Sequence, residues 1–259
     1  MLKTIITGLL VLVSFKGFPQ TNQLPPDADN SEFFVRIEKE QRKDLDSLYE
    51  AETCIGYTFI NGRDYKQYYL RSEHKPILYY ERERTASLTI NGRVYRNIVL
   101  QYDTYLDKII YGIKSTTSND IVRQVALTSD NISSFVLYFD DDTLTFINVS
   151  AKMDPAFNLD DGFYEVVYDG RCKYFLRYKS TQYKLNGVDE YSNDPSGYVM
   201  AGKGFVRITS RKQFVNLFRN RSKEIKQFIK ENNIRIPGAD KHQIADILRF
   251  YESIETGRL

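Results

Sequence analysis

Two runs of carboxylates, Asp140-Asp141-Asp142 and Asp160-Asp161, are the densest candidates for chemistry in this 259-residue sequence. Glycoside cleavage needs one carboxyl group as acid and a second as base or nucleophile at a suitable separation, so paired aspartates admit a carbohydrate-active hydrolase. The same oxygens would suit calcium in a metal-stabilised structural module, although the Asp140 run lacks the longer ligand spacing of an EF-hand. Both runs lie between strand-like segments, where aspartate favours turns, and solvated turns are the plainest reading. Nucleophilic hydrolysis has less to draw on. There is no Gly-x-Ser-x-Gly elbow, and only His74 and His242 could serve as an imidazole base. His74 sits in the polar segment Ser72-Glu73-His74-Lys75-Pro76, His242 sits near the start of a helix-like stretch, and neither stands at metal-ligand spacing from a cysteine or from the other histidine. No catalytic, cofactor-binding or metal-ligating residue is assigned on this reading, and no cofactor is expected.

Twenty tyrosines without a single tryptophan offer a different chemistry, that of a flat, amphipathic contact surface. Tyr65, Tyr68, Tyr69, Tyr79 and Tyr80 form the densest group and are the candidate binding surface, able to stack on sugars or pack against another protein. Neighbouring tyrosines in a strand point to opposite faces, so half of each pair is expected in the core. Cys54 and Cys172 are the only thiols. A Cys54–Cys172 disulfide and two separately buried thiols are both open readings.

The first twenty residues read as a secretory signal. Lys3 supplies the positive end, and the apolar run Ile5-Ile6-Thr7-Gly8-Leu9-Leu10-Val11-Leu12-Val13 is too short to span a bilayer as a helix. Processing near Gln20 would leave a soluble periplasmic or secreted chain with no transmembrane segment, long enough to bury a full core in one domain. Charge is unevenly spread: from Lys203 onward there are thirteen Lys and Arg against six Asp and Glu, while the chain as a whole is only +2. A basic tail of this kind either docks on its own acidic domain or meets an anionic membrane or partner. Nucleic acid is a poor partner for an exported chain without a recognised nucleic-acid fold signature.

The elements that must position these residues follow from hydrophobic period. Residues 21–30 lack one and read as a flexible leader, and residues 31–49 suggest an amphipathic helix capped by Ser31 or Asn30. From about Ile55 the period becomes two, with Tyr, Phe, Val, Ile and Thr dominant. Short strands are expected at Gly56–Ile60, Tyr65–Leu70, Ile77–Glu81, Ala86–Ile90, Val94–Tyr102, Lys108–Lys114, Ile121–Leu127, Phe135–Phe139, Thr143–Asn148, Phe163–Tyr168, Lys173–Tyr178, Gln182–Leu185 and Tyr198–Ala201. Asn61-Gly62, Asn91-Gly92 and Asp169-Gly170 each stand between apolar runs and predict three type I′ hairpins. Beyond Ile208 the period is helical again: a first helix capped by Thr209 or Ser210 and ending near Asn232-Asn233, then a second capped by Asp240 and ending at Gly257. The expected fold is mainly β (α+β), an antiparallel barrel or sandwich built of hairpins over residues 31–207. That domain includes the N-terminal helix, and a C-terminal helical hairpin over residues 208–259 packs on it.

The Asn-Gly-Arg-x-Tyr hairpin sequence, the segment Asn97-Ile98-Val99-Leu100-Gln101-Tyr102-Asp103 followed by Lys108-Ile109-Ile110, then Gly162-Phe163-Tyr164 leading into Tyr168-Asp169-Gly170, and the ending Ile247-Leu248-Arg249-Phe250-Tyr251-Glu252 together resemble a family of uncharacterised exported envelope proteins of Bacteroidetes. The resemblance implies an envelope compartment and a β-rich fold and brings no catalytic residues with it. It also makes Asp46-Ser47-Leu48 and Asp142-Thr143-Leu144 look like short sites at which such bacteria attach sugars. The expectation carried forward is an exported, non-catalytic protein that binds another envelope component, protein or glycan. The hydrolase with paired aspartates and the calcium-stabilised module stand as alternatives.

Overall fold

A computed structural model describes residues 60–68, 75–79, 83–115, 120–150 and 158–256. Eleven strands form one antiparallel sheet, in the order β1-β5-β4-β3-β2-β6-β7-β8-β9-β12-β13, and β10 pairs with β11 alone. They are β1 (Gly62–Asp64), β2 (Arg84–Ile90), β3 (Arg93–Asp103), β4 (Lys108–Lys114), β5 (Ile121–Leu127), β6 (Ile132–Tyr138), β7 (Thr143–Val149), β8 (Gly162–Asp169), β9 (Lys173–Arg177), β10 (Thr181–Leu185), β11 (Val188–Ser192), β12 (Ser196–Met200) and β13 (Val206–Arg207). The topology is two meanders, β2–β5 and β6–β9, joined by the pairing of β2 with β6, so within each meander consecutive strands are neighbours.

The large sheet coils tightly. Tyr102 on β3 and Phe163 on β8 are four strand positions apart, about 19 Å in a flat sheet, yet their ring centroids lie 5.9 Å apart. Phe135 and Phe146 fill the space between them, stacked at 4.4 Å and 3°, and all four rings are buried. Coiling around bulky rings gives the sheet a barrel-like interior. Of the expected barrel or sandwich, a closed barrel is not formed, because β1 and β13 end the strand order without pairing to each other. β13 is two residues long and β1 three, too short to zip an edge shut. A second cluster, Val149, Tyr164, Phe175 and Phe205, covers the opposite face of β7, β8 and β9.

The turn signals resolve unequally. Asn91 and Gly92 have φ of 51° and 76°, the left-handed pair that a type I′ turn requires, and join β2 to β3. Asn61-Gly62 makes no such turn: Gly62 starts β1 opposite Leu127, and a Cβ there would fall 2.0 Å from the Ala126 carbonyl oxygen. Asp169-Gly170 makes a wider loop, closed by the Gly170 N–H on the Cys172 carbonyl at 2.9 Å, with no left-handed residue. Residues 65–68 are not strand, and Ile77 contributes a single bridge to Asp103. The N-terminal helix expected at 31–49 lies outside the described residues, as do the signal and leader.

The helical tail divides into α1 (Arg211–Asn216), a single 3₁₀ turn (Arg219–Arg221), α2 (Ser222–Glu231) and α3 (Lys241–Glu255). The Ser210 hydroxyl accepts the Gln213 N–H to start α1, and Asp240 with Gln243 forms a capping box at the start of α3. Ile244, Ala245, Ile247 and Leu248 of α3 are buried. Its far end is fixed by Glu252, whose carboxylate accepts the Cys172 N–H at 2.6 Å and the Tyr168 hydroxyl at 2.9 Å. Glu165 and Tyr168 are three apart and would face opposite ways in a regular strand. The register shift between Val166 and Tyr168 inserts Val167 as an extra residue, so both face α3.

The ring cluster is the interior around which the sheet coils. Phe146→Ala should therefore lower stability by about 3–5 kcal/mol in urea denaturation, the range for emptying a buried aromatic site.

Candidate functional site

One transverse row of cross-strand partners runs Leu88, Phe135, Phe146, Glu165, Leu176 and Gly197 over β2, β6, β7, β8, β9 and β12. Side chains in such a row share one face. Glu165 is the one ionisable member, and it is 2% exposed. An isolated carboxylate at this position would be strongly unfavourable, so it must be neutralised in place. Lys241, the first residue of α3, donates to Glu165 Oε1 at 2.6 Å, and the Tyr178 hydroxyl donates to Oε2 at 2.5 Å. Lys241 also reaches Asp142 Oδ2 at 3.2 Å, which ties the β6–β7 turn to α3.

The charges agree with this geometry. Burial works against the Lys241 ammonium, but its hydrogen bond and attraction to Glu165, with Asp142 behind, raise its pKa above the ordinary lysine value. Burial and the adjacent Glu165 carboxylate raise the Tyr178 phenol far above its usual range, which keeps it a proton donor. Asp142 shifts down: slight burial is outweighed by the Thr143 N–H and by Lys241.

Beside this network lies a cleft of about 700 Å³, between the ends of β9 and β12, residues 77–79 and the 236–241 connection into α3. That volume is in the range of sites that take small molecules or side chains. Its walls are mixed: Ile77, Leu78, Leu176, Ile208, Ile236 and Ile244 supply an apolar part beside tyrosines and polar side chains. Two hydroxyls of the wall are already paired. The Thr104 hydroxyl donates to the Pro76 carbonyl at 2.9 Å and lies 2.6 Å from the Ser180 hydroxyl, which in turn contacts the Asn193 side-chain oxygen. Lys179, Asn193 and Asp194 remain exposed among the lining residues.

The tyrosine group divides. Tyr65 and Tyr68 each donate to Asp103 Oδ2 at 2.9 Å, while Oδ1 accepts the N–H groups of Tyr105 and Leu106 at 3.0 and 2.8 Å. Asp103 is fully buried, and its pKa is raised by burial against the pull of these four donors. These two tyrosines thus fasten the β3–β4 turn, and Tyr68 and Tyr105 hold Tyr191 of β11 between ring edges at 5.5 and 5.1 Å. Tyr79 differs: it is 47% exposed, lines the cleft and packs against Phe139 at 5.2 Å. Its φ of 52° is costly for a bulky side chain. Tyr69, Tyr80, Cys54, His74 and Asp46-Ser47-Leu48 lie outside the described residues. Cys172 is a buried free thiol, and burial with the Glu252 charge pushes it up to about 11.

Asp142, Asp160 and Asp161 of the aspartate runs make contacts within the scaffold. The Asp142 carbonyl accepts the Phe139 N–H and its carboxylate accepts the Thr143 N–H, both at 2.8 Å, forming the β6–β7 turn. Asp160 lies 3.6 Å from Arg177, and the Asp161 carbonyl accepts from the same guanidinium at 2.6 Å. Among the described residues no group of three or more His, Cys, Asp or Glu is arranged to hold a metal, and no helix is long and apolar enough to cross a membrane. The Glu165–Lys241 pair is absent from the sequence reading, although a lone charge in Phe163-Tyr164-Glu165-Val166-Val167 is a signal that a partner must come from elsewhere in the chain.

No protein-family model matches the chain, and no curated protein or solved structure matches it either.

Lys241→Met leaves Glu165 buried without its cation and should cost about 3–5 kcal/mol, whereas adding Glu165→Gln should restore most of the loss; urea titrations of the single and double variants measure both. Because the folded pKa of Lys241 is raised, its contribution is complete below the unfolded value of about 10.4 and disappears as pH rises through the folded value. Stability between pH 9 and 12 should therefore fall more steeply in the native protein than in Lys241→Met.

Proposed function

We propose that this chain is an exported, non-catalytic binding protein of the bacterial envelope, and that the cleft beside Glu165 receives apolar side chains of another envelope protein. The observation that carries this reading is the cleft itself: about 700 Å³, with six Ile and Leu side chains in its wall, contributed by the sheet, the 77–78 segment, residues after β13 and the start of α3. Burial of apolar side chains in such a space is worth about 25 cal/mol per Å² removed from water, and it needs no unpaired donors in the wall. A saccharide would need those donors, and the hydroxyls of Thr104 and Ser180 are engaged within the protein. That favours polypeptide over glycan as the occupant.

Three further features support a pre-formed site. Glu165, Lys241 and Tyr178 fix one wall by short hydrogen bonds. The capping box of α3 fixes the adjoining turn. Exposed Lys179, Asn193 and Asp194 supply a polar rim around an apolar floor, the arrangement of an interface patch. The envelope location rests on the signal-like first twenty residues and on the family resemblance.

A photo-reactive amino acid at Lys179, on the rim, should crosslink in cells to one abundant envelope protein, and the same group at Lys203, outside the lining, should not. Equal crosslinking from both positions, or recovery of glycan alone at Lys179, would overturn the proposal.

A further inference from the structure

The net charge of +2 conceals a surface of one sign on α2. Lys223, Lys226 and Lys230 are all exposed, and at 100° per residue they fall within one arc of about 60°, centred about 110° around the helix from buried Ile225 and Ile229. Arg219, also exposed, precedes them by one turn. Among the described residues none of these four cations forms an ion pair, and the acids of the tail are used elsewhere. Glu224 and Glu255 both hold Arg221, at 3.3 and 3.1 Å, and Asp246 holds Arg249 at 2.6 Å. Glu252 binds Cys172 and Tyr168, Glu231 accepts from Gln227, and Asp240 caps α3. Lys241 carries positive charge of the tail into the acidic part of the chain, onto Asp142 and Glu165.

We propose that the lysine face of α2 is a docking surface for an anionic phospholipid bilayer. Charge complementarity supplies the attraction. The choice of lysine points to a diffuse anionic surface: a flexible ammonium is a point charge suited to many phosphates in varied positions, whereas a built phosphate site selects the bidentate fork of arginine. The apolar side of α2 is spent within the protein, with Ile225 and Ile229 buried and Phe228 stacked on Phe250 at 4.4 Å. The helix therefore lies on the headgroups without inserting, and binding is electrostatic and salt-sensitive. Docked in this way, the protein is held at the membrane by residues separate from the cleft, so this proposal stands whether or not the cleft binds protein.

The test is co-sedimentation of the purified chain with vesicles of phosphatidylglycerol and phosphatidylcholine at low and physiological salt, beside vesicles of phosphatidylcholine alone. Binding is expected only with the anionic vesicles, falling about fivefold for each of Lys223→Gln, Lys226→Gln and Lys230→Gln and falling again as salt rises. The combined variant K66Q/K184Q/K203Q removes as many charges elsewhere and should bind as the native protein does. All six positions are exposed, and unchanged circular dichroism confirms that the variants fold. Equal loss in the two triple variants would show a net-charge effect and overturn the proposal. So would failure of the native protein to bind anionic vesicles while it binds soluble polyphosphate through the same lysines.

Discussion

A carboxylate set in the aromatic face of a coiled sheet requires a cation at its own position, and Lys241 meets that requirement for Glu165 from the first turn of α3. The cation cannot come from the sheet, because its cross-strand neighbours are Phe146 and Leu176. It comes from a helix that must then lie across β8, with its N-terminus at Glu165 and its Glu252 at the β8–β9 loop. Two polar anchors and one apolar stripe thus fix the position and direction of α3. Such a pair contributes little net stability compared with well-packed apolar side chains, and its effect is to specify one docking of the helix.

The cleft follows from that docking. The sheet curls so far that the β3–β4 turn reaches the end of β9, where the Ser180 N–H donates to the Thr104 carbonyl at 3.1 Å. Nearby, Arg177 is buried under Tyr164, lies 3.5 Å from Asp107, and meets through it the Tyr102 hydroxyl at the core. The curled sheet thus offers a concave end in place of a flat edge. The connection from α2 into α3 runs past that end, and Ile236 and Ile244 complete the apolar wall. Aromatic packing sets the curvature, and a single ion pair sets what covers it.

Much of the fold was legible in sequence because it is local. The β4 and β5 strands agree with their periodicity at both ends, and Asn91-Gly92 forms the turn its chemistry demands. The same signal at Asn186-Gly187, with φ of 53° and 80°, joins β10 to β11 and went unread, so β11 was missed. Asn61-Gly62 misled for the converse reason: the dipeptide permits a left-handed turn, but pairing with Leu127 and close approach to Ala126 put Gly62 in a strand. The single coiled sheet was not legible, since alternation fixes which face a residue takes and leaves open how strongly the strands coil. Of the candidate surface, Tyr79 lies at the cleft, while Tyr65 and Tyr68 serve a buried aspartate whose need for donors is a tertiary property.

The central claim is that the cleft exists before anything binds, held by the Glu165–Lys241 anchor. Amide hydrogen exchange of the purified protein over the walls, residues 174–180 and 236–248, tests it most directly. The account predicts slow exchange at the hydrogen-bonded amides of β9 and of α3 from Ile244 onward, comparable with the Phe135–Phe146 region of the core. Exchange at the rate of an unfolded chain from Ile244 to Leu248, alongside a protected core, would mean that α3 is not held on the sheet and that the cleft is not pre-formed.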